Sequence, residues 1–212
     1  MTLILAAKYD SGIAFAYDKN KPYHLDVRAM NSGNITLGSK NRPSTYRDKV
    51  IIAGDIAVGV DGDPVERNIV ANFRNVQEIY ENKVLAVRSA LEHRSNLRQK
   101  SSETLPNHTA PKETYIIGFL HNESPKLFFY DDQCSNGVIE VNRWAGIGFG
   151  VYPEVWSHLE ENEGDGSLED ILKILNEGMD IALEVNNSDE KVLLGKGFTV
   201  INNEGVKRKQ YL

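Results

Sequence analysis

The sequence predicts an α+β fold: a four-layer αββα sandwich in which two antiparallel sheets pack face to face and helix pairs cover both outer faces. Three observations predict it. Strand signals come in groups, in the order strands, two helices, strands, helices, strands, whereas a parallel α/β chain alternates one strand with one helix. The long helical stretches each carry an apolar stripe, as helices packed on a sheet do. The first strand is an unbroken apolar run, the mark of a strand covered on both faces. A chain of 212 residues suits one domain, spanning residues 1–212.

Thr2 to Ala7 is the apolar run. Asp10-Ser11-Gly12 is a turn signal, and Ile13 to Tyr17 resumes the apolar character, so the chain opens with a β-hairpin. Residues 20–47 are polar and rich in Asn, Ser, Gly and Lys, and read as a long loop of the kind that often carries function. Lys49–Ala53 and Ile56–Val60 form a second hairpin around Gly54-Asp55. Pro64 sits well at a first helical position, and Val65, Ile69, Phe73, Val76, Ile79 and Tyr80 then mark one helix face. Val84 to Leu97 carries another helical stripe, and residues 100–113 are a polar loop. Strands follow near Tyr115–Leu120, Lys126–Tyr130 and Gly137–Val141. Val151–Glu161 reads as a short helix. A stronger one starts at Leu168, with Ser167 as its N-cap and Ile171, Leu172, Leu175, Met179 and Leu183 on one face. Strands near Gly197–Ile201 and Val206–Gln210 close the chain.

Composition narrows the function. The apolar fraction of 41% supports a sizeable core, and no apolar run is long enough to cross a membrane as a helix. The N-terminal stretch lacks a basic leader and a signal-peptide cleavage context, which favours a core strand. A net charge of −6 argues against nucleic-acid and anionic-membrane partners. Cys134 is the sole cysteine, which excludes an internal disulfide and fits the reducing cytoplasm. His24, His93, His108, His121 and His158 lack paired ligand spacing, so no metal and no cofactor is expected. Gly146, Gly148 and Gly150 alternate, but this is not the spacing of a dinucleotide-binding loop.

The chemistry concentrates at the start of the chain. Removal of Met1 is favoured by a small second residue and would leave Thr2 with a free α-amine beside its own hydroxyl. Such an amine has a pKa of about 7.7–8.0 and is partly neutral near neutral pH. One residue then supplies both nucleophile and general base. Asp18 ends the second strand, level with the start of the first, where its carboxylate can anchor a cation. Lys49 precedes an apolar run and can project into the same place, where an ammonium favours a developing alkoxide. Gly62, after one strand and before a helix, lets a backbone N–H approach a developing oxyanion. Taken singly, Thr2 is also simply where translation left it, Asp18 a turn residue, Lys49 a solvated strand-entry lysine and Asp61-Gly62 a turn.

Together these residues resemble the proteasome β-subunit family and its bacterial relatives. That family opens with a catalytic threonine, a short strand, an Asp-Gly-like turn and a second strand ending in an acidic residue followed by lysine. The same register runs through Thr2-Leu-Ile-Leu, Asp10-Ser11-Gly12 and Phe15-Ala16-Tyr17-Asp18-Lys19. The spacing of 16 from Thr2 to Asp18 matches without a gap. Lys49-Val50 matches the family's catalytic lysine, and Asp55 to Asp63 its strand and oxyanion-hole turn, with Gly62 as the glycine. Ile147-Gly148-Phe149-Gly150 is similar to a later Gly-Ser-Gly segment.

The resemblance implies the N-terminal-nucleophile hydrolase fold and a threonine peptidase: Thr2 attacks, Asp18 and Lys49 tune it, and Gly62 holds the oxyanion. It also implies peptide or unfolded-protein substrates, a homo-oligomeric ring and a possible ATPase partner. Three departures stand out. Phe149 replaces a serine beside the terminal amine. Asn186-Asn187-Ser188-Asp189 replaces an Asp-x-x-Ser pair. The segment between Asp18 and Lys49 is longer by about a dozen residues. Two other readings stay open. One is a proteasome-like ligase that passes the acyl group to an amine, with the loop at 20–47 excluding water or clamping a peptide. The other is a non-catalytic assembly protein of the same fold.

Overall fold

The computed structural model describes residues 3–19, 49–61, 87, 89, 91, 114–131, 138–148, 151–162, 166–185 and 196–209. The strands within them are β1 (Leu3–Tyr9), β2 (Gly12–Asp18), β3 (Val50–Ala53), β4 (Ile56–Asp61), β5 (Thr114–His121), β6 (Ser124–Asp131), β7 (Val138–Glu140), β8 (Trp144–Gly148), β9 (Lys196–Asn202) and β10 (Gly205–Lys209). Helices α1 (Pro153–Glu161) and α2 (Leu168–Val185) lie between β8 and β9. The strands form two antiparallel sheets, ordered β10-β9-β2-β1-β8 and β3-β4-β5-β6-β7. The class is therefore α+β.

The opening hairpin explains why its sequence is apolar without a break. Ile4 and Ala6 of β1, with Ile13, Phe15 and Tyr17 of β2, face Val50, Ala57, Ile116 and Leu127 of the other sheet. The alternate residues Leu3, Leu5, Ala7, Ala14 and Ala16 face the opposite way, onto Ile171, Leu172, Leu175 and Met179 of α2. Both pleat faces are covered, so no position is left for a polar residue until Lys8. Each large aliphatic or aromatic side chain fully buried here contributes about 1.5–3 kcal/mol. The turn leaves no room for a side chain at Gly12, where a Cβ would lie 2.0 Å from the Ile201 carbonyl oxygen.

Helix α2 behaves as its stripe predicts. Ile171, Leu172, Leu175 and Met179 are buried, and Leu183 packs at the edge of the same cluster. Ser167 Oγ accepts the Asp170 N–H at 3.2 Å, the N-cap bond expected from the sequence. Such a cap is worth about 1 kcal/mol. His158 on α1 ties the two helices together, its ring Nε2 lying 3.2 Å from the Ile174 carbonyl oxygen. On the outer face of the second sheet, Val87 and Leu91 are helical and buried against Ile51, Val58, Tyr115, Phe119 and Phe128. The remainder of the helices expected from Pro64 and across Val84–Leu97 lies outside the described residues. So do the loops at 20–47 and 100–113.

Several element bounds differ from the sequence reading. Trp144–Gly148 is a strand, although its glycines disguise it: β8 gains its place through backbone pairing to β1 and through Ala145 and Ile147, which bury between the sheets. β7 ends at Glu140 rather than Val141, and β10 begins at Gly205 rather than Val206; Gly137 and Gln210 lie outside the described residues. No described helix is long and apolar enough to cross a membrane.

Candidate active site

The site is built at one end of the two sheets, where β1 and β3 begin and β2 and β4 end. Antiparallel pairing of Ile4 with Tyr17 continues so that Leu3 stands level with Asp18. The Asp18 carboxylate turns back toward the chain start, and its Oδ1 accepts the Leu3 backbone N–H at 2.7 Å. From the facing sheet, Lys49 Nζ donates to Oδ1 at 2.6 Å and to Oδ2 at 2.5 Å. Lys49 is itself fixed by its backbone, since its carbonyl accepts the Val60 N–H at 3.1 Å. One carboxylate thus ties together the first described residue, the end of β2 and the start of β3.

This pair is nearly dry. The Lys49 and Asp18 side chains are 5% and 11% exposed. Removing two charges from water costs several kcal/mol per ion in a protein, so a buried pair is poor evidence of selection for stability alone. Burial pulls the Lys49 ammonium below the ordinary lysine value of 10.5, and the Asp18 carboxylate, with the more distant Asp61, acts against that fall. Lys196 stands opposite Asp18 in the register of β2 and β9. Its ammonium turns instead to α2, binding Asp180 Oδ1 at 2.6 Å and Asn176 Oδ1 at 2.8 Å.

Two further features shape this end. Gly59 allows the sheets to approach closely, because a Cβ there would lie 3.1 Å from Ile4 Cγ2. Gly148, in the left-handed region at φ 65°, pairs with Leu3 and brings the end of β8 beside the chain start.

Of the residues singled out in the sequence, Asp18 and Lys49 are brought into direct contact. Thr2 and Gly62 lie outside the described residues, as do Phe149 and Asn186 to Asp189. Two participants were not anticipated. The Leu3 N–H could not be read from side-chain types, because it is a backbone donor. The sequence places Asp61 where a strand gives way to the Gly62 turn, without a role of its own; it is the last residue of β4 and pairs with Thr114. The alternation Ala57, Gly59, Asp61 was the available signal. Among the described residues, no three His, Cys, Asp or Glu side chains converge to hold a metal ion.

No protein-family model matches this chain, and no curated protein matches it either.

Proposed function

We propose that this chain is a threonine peptidase of the N-terminal-nucleophile type, acting through an acyl-enzyme on Thr2 once Met1 is removed. The observation that carries the reading is the buried Asp18–Lys49 pair, whose carboxylate also holds the Leu3 N–H at 2.7 Å. A dry ion pair costs free energy to build. Placed one residue from a threonine, it has a use: an ammonium that favours the alkoxide form of the nucleophile. The neutral α-amine of Thr2 takes the hydroxyl proton as the oxygen attacks the peptide carbonyl. The tetrahedral oxyanion is stabilised by the Gly62 N–H and by the Lys49 charge. The same amine returns the proton to the leaving amine, and water then hydrolyses the ester. The four-layer αββα arrangement belongs to this proposal, supported by α1 and α2 on one sheet and by the helical Val87 and Leu91 on the other.

The test is intact mass after incubation with a peptide epoxyketone or β-lactone. One adduct per chain is expected on Met1-free protein and none on protein that retains Met1, because an acylated nitrogen is no base. Full labelling of a wholly Met1-retaining preparation overturns the mechanism.

We also propose a homo-oligomeric ring in the cytoplasm, with the Thr2 sites facing an enclosed space that admits peptides and unfolded chains. Its support is apolar side chain left in solvent along the helical layer: Val151 before α1, Trp156 on α1 and Val185 at the end of α2. Size exclusion with light scattering is expected to give a multiple of the 23.7 kDa chain mass. A monodisperse single-chain species across a wide concentration range removes the ring and favours the ligase reading, in which a lone subunit clamps its peptide.

A further inference from the structure

Among the described residues, Asp61 adds a second carboxylate near the Asp18–Lys49 pair. Alternation along β4 puts Ala57 between the sheets and Gly59 against Ile4, and so places Asp61 on that same inner face at the Asp18 end. Asp61 is half-buried. Among the described residues its carboxylate has no hydrogen bond and no ion pair. It is close enough to Lys49 for its charge to be felt there. Lys49, however, is engaged by both oxygens of Asp18. Two further cations among the described residues at this end are engaged elsewhere: Lys196 by Asp180 and Asn176, and Arg208 at the Val50 carbonyl.

A half-buried carboxylate without a partner is partly desolvated and gains from a cation that reaches it. We propose that Asp61 is a specificity-determining residue, pairing with a guanidinium or ammonium side chain of the substrate next to the bond that is cleaved. This rests on the peptidase reading, because it places the scissile bond at Lys49. The geometry supplies the discrimination: Asp18 is closed off by Lys49 and the Leu3 N–H, so of these two described carboxylates Asp61 is the one left for a substrate cation. A neutral isostere of arginine gains nothing from it.

The test uses two fluorogenic peptides identical except for arginine or citrulline before the cleaved bond. Wild-type protein is expected to prefer arginine by roughly tenfold in kcat/KM, the scale of one partly desolvated charge pair. Asp61→Asn is expected to bring that ratio close to one: any change passed through Lys49 falls on both peptides alike, and the further loss falls on the arginine peptide. Asp61→Glu is expected to restore most of it. Absence of a preference in the wild type, a preference that survives Asp61→Asn, or an equal loss on both peptides overturns the proposal. The last of these would assign Asp61 to the common chemistry instead. If neither peptide is cleaved, the peptidase reading fails by itself. Fluorescence anisotropy of the same two peptides, end-labelled, then reads the preference without turnover, and equal Kd values overturn it.

Discussion

Thr2→Ala abolishes both covalent labelling and peptide turnover. Removing a nucleophile from an acyl-transfer site costs on the order of a millionfold in rate, so the mutant falls to background. The fold survives, because the core starts at the next residue: Leu3 is 1% exposed, and its N–H bond to Asp18 does not involve the Thr2 side chain. The check pairs a turnover assay with thermal unfolding. Unchanged melting with no turnover is the expected result, and Thr2→Ser, which keeps a hydroxyl beside the amine, is expected to recover part of the rate. Wild-type turnover by Thr2→Ala removes the nucleophile assignment altogether. Loss of folding in Thr2→Ala with normal folding in Thr2→Ser assigns the hydroxyl a structural bond.

The parts of this molecule that were legible in the sequence are those where one local signal had a single physical meaning. The run from Leu3 to Ala7 has no polar residue to turn outward, so a two-sided core strand was the economical reading. Ser167 before the Leu168 stripe specified both the start of α2 and the bond that caps it. The reading faltered where tertiary pairing outweighed propensity. Trp144-Ala-Gly-Ile-Gly148 is a poor strand by composition, but five backbone positions of β1 await a partner on that side, and β8 supplies it. The turn between β5 and β6 is another such place. Asn122 and Glu123 both take positive φ, at 50° and 63°, without a glycine to announce it. At the site, the side-chain types Asp and Lys at the right strand ends were readable. Their closeness, and the Leu3 N–H that completes the cluster, depend on how two sheets distant in sequence face each other.

Lys49→Met is expected to lower the acylation rate by about a hundredfold or more, the scale of a lost preorganised electrostatic contact. Methionine fills much of the same space, so the change is chiefly one of charge. It is not silent for stability: it strands the Asp18 carboxylate, and breaking one side of a buried pair costs about 3–5 kcal/mol. Rates are therefore read well below the melting transition. Lys49→Arg, which keeps a charge that does not titrate, serves as the second variant. The pH dependence separates the catalytic from the structural role. In the wild type, burial holds the Lys49 ammonium below its ordinary 10.5, so the proton leaves at lower pH than from a solvated lysine. Activity that needs the ammonium falls as pH rises through that lowered value. Stability moves the other way. Between the lowered value and the ordinary one, the unfolded chain holds a proton that the folded chain has lost, so the contribution of Lys49 to stability rises with pH across the window. A structural lysine gives activity that follows stability. A catalytic one gives an alkaline loss of rate while stability holds or improves, on top of an acidic loss as the Thr2 amine protonates below about 7.7–8.0. Lys49→Arg is expected to keep the acidic limb and to lose the alkaline one. An alkaline limb that persists unchanged in Lys49→Arg assigns it to another group, and Lys49→Met with near-wild-type acylation removes this lysine from the mechanism.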